Sequence, residues 1–288
     1  MLLKKVKEEF VFNCQCRKLS DKTIKNYGKQ LDYLFNYLQE EQGIVDIEEV
    51  KPQFIKQFLM AMKAKGRTVN YFNDLLKAYK VYFRYAFEEG YTETLVTEKI
   101  KNAKNGKVII RTFSDSEIKR LVGFYKGNKY LDIRNKVMIL LFVDTGIRLS
   151  ELTGLTEEQI KHDYIIIKGK GSKERVVPKS PLLSKWLIKY MVVRQSYFEY
   201  RNVPPNLFLT KNGKLLDSSP IDTVLKVAGK GCDISPDVRV SAHTFRHTYA
   251  QYQLKNGLDL YSLSRIISLP YIINLLLSPL ILLLERGG

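Results

Sequence analysis

The 288-residue sequence predicts a mostly α protein with one small β-sheet, divided into two domains. Three observations carry that reading. Apolar residues recur at helical spacing through the first hundred positions. A basic stretch containing Asn and Gly, residues 101–112, interrupts the pattern. Between residues 164 and 177 the period changes to short β-branched runs, and helices then return. The length suits two modest domains at roughly 100–200 residues each.

The elements follow in order. Cys14 and Cys16 fall in a helical segment near the N-terminus, where they read as ordinary helix residues. Ser20 is a good N-cap, and Ile24, Tyr27, Leu31, Leu34, Phe35 and Leu38 then form one helical face that Gly43 ends. A helix after Pro52 presents Ile55, Phe58, Leu59 and Met62 and stops at Gly66. A third runs from about Tyr71 to Phe87, with Gly90 beyond it. Lys and Arg occupy the outer faces of this bundle. The connector 101–112, KNAKNGKVIIRT, has four positive charges and no acid, the composition of an interdomain linker. The domains are therefore expected at 1–105 and 113–288, with 106–112 as a basic linker.

In the second half, Ser114 or Asp115 caps a helix with Ile118, Leu121 and Val122 on its face. An apolar helix over about Leu131–Thr145 ends at Thr145-Gly146, and another begins near Ser150. YIIIK at 164–168 and RVV at 175–177 flank a Gly-Lys turn and read as a β-hairpin. Helices resume from Pro181.

Composition narrows the function classes. An apolar share of 45% excludes wholesale disorder. The charge balance is 47 Lys+Arg against 30 Asp+Glu, a net +17. The excess is +7 up to residue 112 and +10 beyond it, so no detachable tail accounts for it. Such a field suits a polyanion: DNA, RNA or an anionic membrane. Three cysteines, two of them in C-x-C, indicate neither a disulfide framework nor a zinc knuckle. The N-terminus has no apolar run of signal-peptide length, so a cytoplasmic protein is expected.

Three patterns carry candidate chemistry. In TGIRLSELTGL, residues 145–155, Arg148 occupies a turn between helices and Glu151 follows within ion-pair range; an ordinary capping arrangement at Ser150 reads the same residues blandly. In GKGSKER, residues 169–175, glycines beside Lys170 and Lys173 let an ammonium approach a phosphate, although basic hairpin tips are common. In HTFRHTY, residues 243–249, His243 and Arg246 share a helix face; one suits proton movement, the other negative charge. A buried structural His fits equally. The order Arg, Lys, His-x-x-Arg within one domain is far more specific than any single part.

On these motifs the chain resembles the tyrosine recombinases, the phage-integrase and Xer-type enzymes. SDKTIKNYGKQLDYLFNYL and NGLDLYSLSRII extend the likeness over nearly the whole chain up to about Arg265. The resemblance implies an N-terminal helical core-binding (SAM-like) domain and an α+β catalytic domain. It implies site-specific recombination of double-stranded DNA, by attack of a tyrosine hydroxyl on a phosphodiester to give a 3′-phosphotyrosyl link. Bond energy is kept in that link, so no cofactor, ATP or metal is expected. By the same resemblance Arg148 and Arg246 would hold the phosphate, Lys170 (with Lys173 as rival) would protonate the leaving 5′-oxygen, and His243 would move protons. Glu151 would support the turn. A homo-tetramer on DNA is implied, and no membrane partner.

The likeness stops at the tail. The family continues with Gly-His or Gly-Trp and then the nucleophilic tyrosine; by register Ser268-Leu269 and about Ser278 stand there instead. Tyr271, between Pro270 and Ile272, is the only tyrosine after Tyr261 and comes early for the nucleophile. Residues 266–284 carry no charge, and seven of the 14 residues 271–284 are Leu. Over 266–288 a shifted coding frame, a divergent tail packing on a neighbouring subunit, and a membrane-seeking segment each fit; Pro270 and Pro279 count against the last. The expectation is DNA binding with weakened or lost strand breakage. The rivals are a non-enzymatic DNA-binding remnant or competitor, and a relaxing activity of the type IB topoisomerase kind.

Overall fold

The computed structural model describes residues 1–104, 106, 110–169 and 174–267. It divides into two compact units, Met1–Val108 and Ile109–Gly288.

The first unit is a helical bundle of α1 (Leu3–Cys16), α2 (Asp21–Gln42), α3 (Pro52–Ala64) and α4 (Val69–Glu88). Local sequence signals set each boundary. The Ser20 hydroxyl accepts from the Thr23 N–H, and Gly43 closes α2 at φ +66°, a conformation that costs glycine little. Pro52 lies in the first turn of α3, where its missing N–H is no loss. Thr68 caps α4. The core gathers Val6, Phe10, Leu34, Phe35, Phe58, Tyr79, Tyr82 and Phe83. Tyr82 is fully buried, and its hydroxyl donates to the Leu3 carbonyl, joining α4 to α1. Cys14 is buried and Cys16 exposed; both are free. Ile100, just before the basic stretch, is buried, and Asn73 exchanges two hydrogen bonds with the backbone of Ala103 at its start.

The second unit contains α5 (Asp115–Gly123), α6 (Tyr130–Thr145), α7 (Leu149–Gly154), β1 (Tyr164–Lys168), β2 (Glu174–Pro178), α8 (Pro181–Tyr197), α9 (Ser218–Gly231), α10 (Ala242–Lys255) and α11 (Leu260–Ile267). Of the two candidate caps for α5, Ser114 is the one used, in a reciprocal box with Glu117. Helix α6 is buried nearly all round, as its unbroken run of Val, Met, Ile, Leu and Phe requires. It packs against α8 and α10 at the centre of the core. The strands pair antiparallel, Ile165 with Val177 and Ile167 with Arg175. Phe113 donates its N–H to the Thr248 hydroxyl, which fastens the segment before α5 to α10. Among the described residues no helix is long and apolar enough to cross a membrane; the tail 268–288 lies outside them.

Candidate active site

The site is built on the turn that joins α6 to α7. Thr145 donates its hydroxyl to the Leu141 carbonyl and accepts the Ile147 N–H, so the turn is tied back to the helix before it. Gly146 caps α6 at φ +56°. A Cβ there would meet the Tyr249 ring at 2.6 Å. Positive φ and close approach each call for glycine. Gly146→Ala is expected to cost about 2 kcal/mol or more, read as a lowered urea midpoint with little change in slope.

Arg148 is the N-cap of α7, one residue earlier than a start at Ser150. The acid that closes this cap is Glu151: its Oε2 accepts the Arg148 backbone N–H at 2.9 Å, and its Oε1 accepts Arg148 Nη1 at 2.7 Å. Glu151 is buried, with 4% of its side chain exposed. Its second partner is Arg175 on β2. Arg175 Nη1 donates to Oε1 at 2.8 Å and Nη2 to Oε2 at 2.7 Å. Burial by itself would raise the Glu151 pKa. The Arg175 fork, the Arg148 N–H, the Arg175 charge and the hydrogen bond from the Arg148 guanidinium outweigh it and hold the carboxyl down at about 2.

Helix α10 brings the other arginine. Ser241 caps it, accepting the Thr244 N–H. Arg246 is 4% exposed, and its Nη1 donates to the Gly146 carbonyl at 2.6 Å, two residues before Arg148. Its Nε and Nη2 are buried with no hydrogen-bond partner among the described residues. Burial first, then the charge on Arg148, lowers the Arg246 pKa to about 9, with Glu151 opposing and Arg175 adding to the fall. The group is still a cation at neutral pH. A buried guanidinium with two unmatched donors is costly unless an anion completes it. Phosphate oxygens fit those donors in charge and geometry.

The fold thus gathers Arg148, Glu151, Arg175 and Arg246. His243 lies one turn before Arg246 on α10 and is exposed, so sharing a helix face has not given the two equal burial. His247 is half-buried beside Arg246; burial, then the nearby His243 and Arg246 charges, push its pKa below the usual imidazole value. Lys170, Lys173 and Tyr271 lie outside the described residues. The sequence motifs assign no role to Arg175 or His247. A signal for Arg175 exists: in ERVVP it alternates with buried Val177 and faces the same side, and a charge on the buried face of a strand demands a partner.

Comparison with known proteins agrees over both units. Residues 111–268 match the model of the phage integrase family, and residues 14–90 match that of the phage integrase N-terminal SAM-like domain. The tyrosine recombinase XerD of Oceanobacillus iheyensis is 28% identical over 247 residues, 85% of this chain and 82% of that one. Among solved structures, a lambda integrase dimer bound to a COC′ core site superposes with a TM-score of 0.75 at 16% identity, covering 96% and 94% of the two chains. A lambda integrase tetramer bound to a Holliday junction gives 0.71 at 16% identity, covering 93% of this chain and 77% of the other. At these identities the structures show a shared fold.

Proposed function

The chain belongs to the phage integrase family, and from that premise we propose that it grips duplex DNA with both units and seats one backbone phosphate on Arg246 and Arg148. The observation that carries the reading is the buried Arg246 guanidinium, with two donors unmatched among the described residues, beside the Arg148 turn. A phosphate there receives charge-assisted hydrogen bonds from groups whose desolvation is already complete. Both arginines would stabilise the added negative charge as a phosphodiester is attacked. Lys170, or Lys173 in its place, would protonate the leaving 5′-oxygen, and His243 would move protons at the exposed mouth. Glu151 would hold Arg148 in place.

The residues proposed as domains, 1–105 and 113–288, would embrace the duplex across the basic stretch 106–112. The charge on both parts supports this, as does a groove of about 770 Å³ in the first unit, lined by Arg17, Lys77, Lys80 and Arg84 together with Asp74, Glu88 and Glu89. Affinity should fall steeply with salt. Each isolated half should bind far more weakly than the whole chain, because the connection supplies effective concentration. Equal binding by residues 109–288 and the full chain would refute the embrace. Lambda integrase has been seen as a tetramer on a Holliday junction; a homo-tetramer on DNA is the assembly proposed for this chain.

Strand breakage through a phosphotyrosyl link is the chemistry this site would serve, and this chain is proposed to perform it poorly. Ser278 stands where the register puts the nucleophile, and an aliphatic hydroxyl is far less acidic than a phenol of pKa near 10. Leu269 can neither hydrogen-bond nor carry a proton. A nicked suicide duplex tests this. Binding without a covalent adduct is expected from the unmodified chain, and a tail restoring Gly-His and a tyrosine should recover the adduct. Cleavage by the unmodified chain that Tyr271→Phe abolishes would make Tyr271 the nucleophile and overturn this part of the reading.

A further inference from the structure

We propose that Arg175 is a positioning residue for the phosphate seat: its two-pronged grip on Glu151 fixes the carboxylate that orients Arg148. The inference rests on the phosphate reading above and adds a residue and a device to it. All four principal acceptor positions of the carboxylate are used. Oε1 takes Arg148 Nη1 at 2.7 Å and Arg175 Nη1 at 2.8 Å; Oε2 takes the Arg148 N–H at 2.9 Å and Arg175 Nη2 at 2.7 Å. Any rotation of the carboxylate that frees Arg148 also breaks one prong of Arg175.

Exposure separates the roles. The Arg148 side chain is 30% exposed and that of Arg175 only 8%. Both terminal nitrogens of Arg175 are committed to Glu151, and its Nε is buried. It therefore acts on a ligand through Glu151 and Arg148. The arrangement also reports on the hairpin. Arg175 pairs across the sheet with Ile167, and a slip of one residue would bring Glu174 or Val176 to Glu151 in its place. A second carboxylate or an isopropyl group leaves Glu151 with one guanidinium, so the seat is complete only when the hairpin is in register.

The test uses the full chain with labelled arginine side chains and inorganic phosphate as probe, followed by NMR. In the unmodified protein, phosphate should shift the Nε–H signals of Arg148 and Arg246. Arg175→Lys keeps a charge but cannot bridge both oxygens. It should broaden the Arg148 signal and weaken phosphate binding about tenfold, at an unchanged far-ultraviolet dichroism spectrum. The pair E151Q/R175Q removes both charges together and serves if R175K does not fold; positioning predicts that it binds phosphate as E151Q alone does. Additive losses in that pair would mean that Arg175 touches the phosphate itself and would overturn the proposal. So would unchanged affinity in R175K when R246K has lost it. If R246K also binds phosphate normally, the seat is absent, and the underlying reading fails together with the proposal.

Discussion

Glu151→Ala is expected to destabilise the second unit by about 3–5 kcal/mol, because it leaves Arg148 and Arg175 facing each other around an emptied carboxylate site. Urea unfolding checks the size. A drop below about 1 kcal/mol would mean that solvent reaches both guanidinium groups and the clamp is not buried. The same carboxylate imposes a pH signature. Its folded pKa, about 2, lies below the ordinary value for glutamate, about 4.3. A depressed carboxyl contributes stability above its unfolded pKa and loses it as pH falls through its folded pKa. The contribution, of order 3 kcal/mol, should be fully present above pH 5 and should fade between about pH 4.5 and 2. Glu151→Gln should flatten the stability profile in that window and leave its slope near neutrality unchanged.

Arg246→Met is expected to do the opposite to stability while removing the phosphate seat. The native guanidinium is buried, with Nε and Nη2 unmatched among the described residues, near the like charges of Arg148 and Arg175. Replacing it by an apolar chain of similar length removes that desolvation cost, at the loss of one hydrogen bond to the Gly146 carbonyl. The balance favours the variant by about 1–2 kcal/mol, a rise in Tm of several degrees in a unit of this size. Affinity for inorganic phosphate should fall at least tenfold, and the salt dependence of duplex binding should lose about one phosphate contact. This is the exchange of stability for function expected where a site holds an incomplete cation ready for an anion. A variant less stable than the natural chain would show that Arg246 serves the fold and not a ligand.

Much of the architecture was legible in the sequence. Ser20, Gly43, Pro52, Ser114 and Gly146 marked helix ends because caps act through atoms two to four residues away. The β-branched runs around Gly169-Lys170 marked the hairpin because strand alternation is equally local. The motif order also placed Arg148, Glu151 and Arg246 together in one family's pattern, and the comparisons bear out that family. The tertiary structure alone decided what those residues meet. Arg148, Arg175 and Arg246 converge across 98 positions, through the packing of α6 on α10 and of the hairpin beside α7. It also decided that Glu151 serves two arginines, that Arg246 is buried with donors to spare, and that His243 faces outward. Burial and long-range partners arise from closing loops between distant segments, and no local period records which segments close; the motifs could nominate Arg148 and Arg246, but only the folded core could bring Arg175 to them and take Arg246 out of water.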